Sequence, residues 1–532
     1  MREGLQPPTD SLSRPASFID RRASHQGATP PKLRQVVILV VLCDLCILVA
    51  YVWFHSTSAW VTHAQPSAMN LGFTDYYDQL ATAFSHGQLS LDVRPDPALL
   101  ALKDPYKPAL RRDIPYLLDM SLYGGRYYVY FGPAPALILV IAKTIYPAVI
   151  GDPYLVLAFI SGILFIESLF IVKLWRRFFS DISPGLVVLS LLVIGLSSPY
   201  GWILREANIY SAAIMGGQFF FLAGLYAAFD ALDGDSIADW KLMLAGVFWA
   251  AAVGSRITQI LPVAFMTFMV VLALGTKHRG AGPIYRPIRA LLSFFLPLAL
   301  GFAALCWYNW ARFGSVLETG IKYQLAGKPL QQWEGMTSSS IYVFQNLYNY
   351  LLNPPKLTNA FPYVRPDDGF QKRSVVPWIR LPRAYSAQRI TGLFYTAPFI
   401  LFALVSAILI ALRRPFGLEN AVRTQSFTWL AISLYGSLLS EAAFLASFFW
   451  TAERYLGDFM PALLLLSVIG FWQLSRALAP RLLGRSAYIA LSLCLALTSL
   501  AVSNLLVLRL NYSESGVPVP QYLTWLGNLF HR

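Results

Sequence analysis

Charged residues are scarce in this chain. Only 13% of the 532 residues are charged, whereas 56% are hydrophobic and the mean hydropathy is +0.51. A soluble domain of this size carries about 25% charged residues. The composition therefore excludes an ordinary soluble enzyme.

Cysteine is also rare. The four cysteines all fall inside apolar stretches of the sequence. Cys43 and Cys46 form a C-x-x-C pair, but they lie in the first of these stretches, where two small residues at a helix contact are the simpler interpretation. The sequence therefore predicts neither a disulfide framework nor a zinc site.

The chain has instead eleven long apolar runs. A run of about 18 or more apolar residues is long enough to cross a bilayer, and its backbone must satisfy its own hydrogen bonds there as a helix. We therefore predict an all-α polytopic membrane protein of about eleven transmembrane helices with surface helices on its outer face. The predicted spans are residues 36–54, 154–175, 186–202, 212–229, 240–254, 257–274, 290–310, 392–412, 427–448, 459–474 and 487–508.

A twelfth apolar run, residues 133–150, is shorter and contains three prolines and Lys143. Positive residues collect in cytoplasmic loops. If this run does not cross, the basic clusters after the second, sixth, eighth and tenth spans share the cytoplasm with the basic N-terminal tail. If it crosses, all of them lie outside. We therefore predict an interfacial helix here, a cytoplasmic N-terminus and an outer C-terminus.

This topology divides the chain into five regions. The net charge of +14 belongs mainly to the tail and to short loops, so nucleic-acid binding is not expected and the bilayer is the expected partner. Long outer segments are usually functional, which places the chemistry outside. The regions are a disordered basic cytoplasmic tail (1–35), a transmembrane module (36–310) with an outer loop (55–152), an outer segment (311–390), C-terminal transmembrane helices (391–510) and an outer tail (511–532).

The first outer loop is the most informative stretch. Residues 74–87 carry apolar residues at helical spacing and end at Gly87, which predicts a short surface helix. Asp75 lies at its start, where one interpretation is a helix cap, with Asp78 favouring the positive end of the helix dipole. The other interpretation is a general base at the membrane boundary.

The order of these elements resembles the GT-C superfamily of glycosyltransferases. The branch concerned includes protein mannosyltransferases, aminoarabinose lipid A transferases and rhizobial lipopolysaccharide glycosyltransferases. In those families an Asp follows the first span in a pattern close to Asp-x-x-Tyr-x-x-x-Ala-x-x-x-x-x-Gly. The residues that approximate it here are Asp75 or Asp78, Tyr76 or Tyr77, Ala81 and Gly87.

Two further features extend the resemblance over residues 36–310. A proline-started apolar surface helix matches residues 132–137, and the second acidic residue expected in the next outer loop corresponds to Glu206. The match is architectural more than residue-exact. It implies transfer of a sugar from a polyprenyl-phosphate donor to an extracytoplasmic lipid, glycan or protein, at the outer face of a bacterial inner (plasma) membrane. Asp75, Asp78 and Glu206 are the implied catalytic candidates.

The departing phosphate of such a donor needs positive partners. The candidates are Arg205, Arg256, Arg312 and Arg454, with Lys322 besides. Two of them have simpler interpretations, since Arg256 fits a snorkelling residue at a span end and Arg454 fits a helical salt bridge with Asp458. The sequence has no glycine-rich phosphate loop, which agrees with a lipid-linked donor.

Aromatic and polar residues in the outer segments are candidates for substrate binding. Aromatic rings and amides suit the faces and hydroxyls of sugars, although an aromatic belt at the membrane interface explains many of them equally well. The candidates are Tyr76, Tyr77, Lys107, Tyr308, Asn309, Glu318 and Tyr323.

Two acids inside the predicted spans support a rival hypothesis. Asp44 lies in the first span and Glu167 in the second, and intramembrane carboxylates are functional candidates by default. They fit a transporter or lipid flippase, although no repeated halves are evident. The sequence does not identify a cofactor, and a requirement for a divalent cation stays open.

Overall fold

The computed structural model describes most of the chain. The described residues are 30–57, 75–197, 199–234, 236–277, 285–333, 335–359, 361–367, 374–412, 421–479 and 482–513. Residues 1–29 of the predicted cytoplasmic tail, 58–74 of the outer loop and 514–532 of the outer tail lie outside this set. The first helix begins at Pro30, six residues before the predicted start of the first span.

The fold is a bundle of apolar helices. Short helical turns and three two-stranded sheets occupy the long connections, so the all-α prediction holds for the bundle itself. The main helices are α1 (Pro30–Ser56), α2 (Tyr76–Ser85), α3 (Ala134–Lys143), α4 (Asp152–Phe178), α5 (Pro184–Leu196), α6 (Tyr200–Arg205), α7 (Ile209–Leu232), α8 (Asp239–Val253), α9 (Ile260–Lys277), α10 (Tyr285–Phe313), α11 (Phe402–Ala411), α12 (Ala421–Ser447), α13 (Met460–Leu478) and α14 (Leu482–Ser513).

Each predicted span has a helical counterpart. Among the described residues, nine helical segments are long and apolar enough to cross a membrane. They correspond to α1, α4, α5 with α6, α7, α9, α10, α12, α13 and α14. The other two predicted spans correspond to the shorter α8 and to the apolar segment Pro398–Ala411. The polytopic all-α class is confirmed, while the number of crossings stays a prediction.

The connections between helices separate into two groups. One group is held together by ion pairs such as Arg476 to Asp181 (2.9 Å) and Arg177 to Asp233 (3.4 Å), and we call it the basic end. The other contains the predicted outer loops and the small sheets, and we call it the large-loop end. There β5 (Ser386–Ala387) pairs with β6 (Trp450–Thr451) and so joins the outer segment to the start of α13.

A hairpin ties the first outer loop to the outer segment. Strands β1 (Ser121–Tyr123) and β2 (Arg126–Tyr128) pair antiparallel. Ser121 donates a hydrogen bond of 2.8 Å to the carbonyl of Gly320 and forms a bridge with Gln324. The hairpin therefore fixes the polar loop that precedes it against a segment two hundred residues away. Strands β3 (Lys356–Leu357) and β4 (Val364–Arg365) form the remaining pair.

Helix α3 has the form predicted for an interfacial helix. At 10 residues it is about 15 Å long, half of what a crossing needs. Its side chains Leu137 and Ile141 are exposed one turn apart, and Ile145 and Val149, which follow the end of the helix, are exposed too. One apolar row on a short helix suits the boundary between lipid and water.

Small residues let α8 pack closely between α7 and α10. A Cβ added to Gly246 would lie 2.4 Å from the carbonyl oxygen of Phe294, and one added to Gly301 would lie 2.3 Å from the Cβ of Ala250. Side chains at these positions would push the helices apart. Close backbone approach of this kind stabilises helix pairs in membranes, where no hydrophobic force drives them together.

Candidate active site

Asp75 lies directly before α2 but does not cap it. Its side chain makes no capping hydrogen bond. The two backbone N–H groups at the start of the helix, those of Tyr76 and Tyr77, donate instead to the carboxylate of Asp152, each over 3.1 Å. The capping interpretation of Asp75 is therefore wrong. Its carboxylate accepts one bond, from Gln79 Nε2 at 3.0 Å.

The surroundings of Asp75 suit a proton acceptor. The residue is half-buried. Burial raises the pKa of its carboxyl group, the hydrogen bond from Gln79 lowers it, and the charge of Asp78 raises it again. A raised pKa makes a carboxylate a stronger base near neutral pH.

Asp78 is engaged in holding the fold. Its carboxylate pairs with Lys143 at 3.0 Å and accepts a hydrogen bond of 2.7 Å from the backbone N–H of Ile150. These contacts tie α2 to the end of α3 and to the start of α4. The buried carboxylate is thus already occupied, and of the two aspartates Asp75 is the better placed to meet a substrate.

Asp119 belongs to a polar cluster that sequence reasoning missed. Its φ of +61° is unusual for a residue other than glycine, and such backbone positions cluster at functional sites. Its carboxylate accepts hydrogen bonds from the hydroxyl of Tyr210 and, at 3.1 Å, from Gln324. Burial raises its pKa, while Tyr210 and Arg454 act in the opposite direction. Nothing in the local sequence signals this convergence of three distant segments.

Arg256 forms an ion pair with a buried acid. Its guanidinium lies 2.8 Å from the carboxylate of Asp458 and stacks over the ring of Tyr455 at 5.3 Å. The snorkelling interpretation of Arg256 is therefore wrong, because the side chain points inward. Its buried Nε has no hydrogen-bond partner among the described residues.

Arg454 does not pair with Asp458, the partner that its local sequence suggests. Asp458 is taken by Arg256, so the predicted helical salt bridge is absent from the ion pairs of the described residues. Arg454 instead donates to Gln388 at 3.0 Å and lies over the ring of Tyr210 at 4.8 Å. It therefore faces the Asp119 cluster.

Three predicted substrate-binding residues maintain the local structure. The exposed Lys107 pairs with Asp104 at 3.2 Å. Glu318 accepts a hydrogen bond of 2.7 Å from the backbone of Gly320, and Tyr323 packs against the ring of Tyr123 at 4.6 Å.

Arg312 and Asn309 form a second structural group. Arg312 donates to the carbonyl of Val129 at 2.7 Å and to the side chain of Asn309 at 2.8 Å, and it covers the ring of Tyr308 at 3.8 Å. Its guanidinium fastens α10 to the first loop. A role in phosphate binding is therefore less suited to Arg312 than to Arg256 or Arg454.

The second predicted acid has a different setting. Glu206 is half-buried at the end of α6, and its backbone carbonyl accepts a hydrogen bond from Ser211 at 3.3 Å. The adjacent Arg205 is buried. Both belong to the large-loop end, where the roles predicted for them stay predictions.

An apolar groove of about 550 Å³ lies next to the end of α2. Its walls come from the end of α2, the start of α3 and the facing sides of α8 and α10. It is lined by Phe84, Gly87, Gln88, Leu89, Pro133, Ala134, Leu137, Val247, Ala250, Ala251, Gly254, Pro297, Gly301, Ala304, Leu305, Trp307 and Tyr308.

Two of the side chains that line the groove, Gln88 and Tyr308, are polar. The hydroxyls of Tyr77 and Tyr308 are buried and have no hydrogen-bond partner in the described part of the chain.

The intramembrane acids lie elsewhere. Asp44 accepts a hydrogen bond of 2.8 Å from Ser168, and the buried Glu167 lies 3.4 Å from the hydroxyl of Tyr200. These contacts join α1, α4 and α6. Across the described residues, no group of three or more His, Cys, Asp or Glu side chains is arranged to hold a metal ion.

Comparison with known proteins gives a structural similarity and no sequence match. No family model and no curated protein matches the chain. The crystal structure of the apo oligosaccharyltransferase from Archaeoglobus fulgidus is similar, with a TM-score of 0.46 and 15% identity over 92% of this chain. The oligosaccharyltransferase AglB from the same organism, in complex with an inhibitory peptide and a dolichol-phosphate, gives 0.42 and 13% over 91%.

This chain covers 57% of the length of each of those two proteins. Similarity at this level does not transfer an activity. A proposal of function must therefore come from the site itself.

Proposed function

We propose that this protein transfers a sugar from a polyprenyl-phosphate donor to an acceptor at its large-loop end. The observation that carries the proposal is the Asp75 carboxylate. It lies directly before a helix whose first two N–H groups are bound by Asp152. Among the described residues, it accepts a single hydrogen bond, from Gln79. A half-buried carboxylate with unused acceptor capacity is suited to take a proton.

The apolar groove supports a lipid-linked donor. Its lining is almost wholly hydrocarbon, and it lies between helices that the bilayer surrounds. A polyprenyl chain in this groove would have its phosphate on the side of Tyr308 and Gly254, and Arg256 follows Gly254 by two residues in the chain. The unused Arg256 Nε and tyrosine hydroxyls are hydrogen-bond donors, as a phosphate oxygen requires.

The chemistry follows from this placement. The acceptor hydroxyl oxygen forms a bond to the anomeric carbon while the bond from that carbon to the phosphate oxygen breaks. Asp75 takes the hydroxyl proton. Arg256 and Arg454 stabilise the charge that develops on the departing polyprenyl phosphate, and such preorganised groups supply much of the catalysis in enzymes. The proposed location is the outer face of a bacterial inner membrane.

Reconstituted protein tests this function directly. Proteoliposomes that contain the purified chain are supplied with radiolabelled polyprenyl-phosphate sugars and with lipid, glycan or peptide acceptors. We expect label to leave the carrier and appear in one acceptor class, at a rate that Asp75→Asn abolishes. Movement of intact donor across the bilayer with no new glycosidic bond would instead support the flippase hypothesis.

A further inference from the structure

Asp152 occupies an unusual position between two helix starts. It is the first residue of α4, and its carboxylate also closes the N-terminal end of α2. The residue is fully buried. Buried carboxylates persist where charge-assisted hydrogen bonds and helix dipoles stabilise them, and Asp152 has both.

This arrangement decides what Asp75 is able to do. A residue at the start of a helix normally bends its side chain back to the free N–H groups of the first turn. In α2 the N–H groups of Tyr76 and Tyr77 are bound to Asp152 Oδ2 and Oδ1 respectively, both at 3.1 Å. Two of the N–H groups of the first turn are therefore already bound, and the hydrogen bond that Asp75 accepts from α2 comes from the side chain of Gln79 instead.

We propose that Asp152 is a positioning residue that caps α2 in trans and thereby keeps the Asp75 carboxylate free for proton transfer. The inference rests on the proposed function. Asp152 touches no substrate, since it is enclosed between α2 and α4. It acts by holding the backbone at the start of α2, next to Asp75, and by occupying the N–H groups of Tyr76 and Tyr77.

Asp152→Asn tests the inference with the smallest change of shape. An amide has one acceptor oxygen, so one of the two N–H groups then faces an NH2 group and loses its partner. We expect kcat to fall about 10²-fold, the loss typical of a misplaced reacting group, with little change in the KM for the donor. Hydrogen exchange of the amides at the start of α2 should become faster. The control is Asp181→Asn, at the exposed ion pair of the basic end.

The readouts separate positioning from general loss of structure. Asp152→Glu keeps two carboxylate oxygens and should restore part of kcat, which a defect in folding alone does not predict. A wild-type kcat in Asp152→Asn would overturn the inference, as would a fall in kcat that matches the loss of folded protein in thermal unfolding. If the wild-type chain transfers no sugar, the proposed function fails, and unchanged exchange at α2 would then overturn the cap itself.

Discussion

Replacing Asp75 by Asn and by Ala separates chemistry from helix capping. A positioned general base contributes about 10² to 10⁴ in rate, which corresponds to about 2.7–5.4 kcal/mol of transition-state stabilisation. Both variants remove the proton acceptor, so sugar transfer should fall by that factor in each. The structure also predicts that neither variant loses a cap, because the first N–H groups of α2 are bound to Asp152.

Thermal unfolding of the purified variants measures the second half of this prediction. Removal of a true cap by Ala costs about 1 kcal/mol, whereas Asp75→Ala should lose only the half-buried contact with Gln79. Asp96 offers a matched control, since its carboxylate does cap a helical turn through Ala98 at 2.7 Å. Asp96→Ala should lower stability slightly and leave transfer intact. Near-wild-type transfer by Asp75→Asn, with transfer lost in Glu206→Gln, would refute the assignment of the base.

Four further predictions concern topology, the rival function, the buried ion pair and pH. A reporter that is active only in the cytoplasm should be silent when fused after Arg532, and its activity there would show that residues 133–150 cross the membrane. Asp44→Asn should leave sugar transfer largely intact, measured on labelled donor, because that acid lies away from the large-loop end. Arg256→Ala should lower the free energy of unfolding by about 3–5 kcal/mol because Asp458 stays buried without its partner, and adding Asp458→Asn should recover part of this in thermal unfolding. Burial raises the pKa of Asp75, and only the ionised carboxylate accepts a proton, so initial transfer rates should fall as the pH drops. The pH at which the rate is halved should lie above the ordinary pKa of an aspartate. A half-maximal rate at or below that pKa would contradict this environment.

The fold was predictable because its signals are local and repeated. Long apolar runs require helices in a bilayer, and each run predicted as a span contains helical structure. A helix within residues 74–87 was also readable from its periodicity and its glycine, and it is present as Tyr76–Ser85, with six of its ten residues buried. The prolines and Lys143 of residues 133–150 indicated a run too irregular to cross, in agreement with the short α3.

The site was less predictable because its contacts join distant segments. Asp75 was found from its position after the first span, but the residue that relieves it of capping lies 77 positions later in the chain. The partner of Arg256 is 202 residues away, and local spacing had paired that acid with Arg454. Asp119 was missed because a left-handed backbone conformation and a remote tyrosine leave no periodic signal.

Two glycines, one directly after α8 and one within α10, bear on selectivity among lipids if the groove holds a lipid tail as proposed. Gly254 and Gly301 line the apolar groove together with alanines and Pro297. The space for the proposed tail would then be set by missing side chains rather than by hydrogen bonds. Such a groove would distinguish tails by thickness and branching, and a change of one small residue would alter the preferred carrier without altering the chemistry at the headgroup.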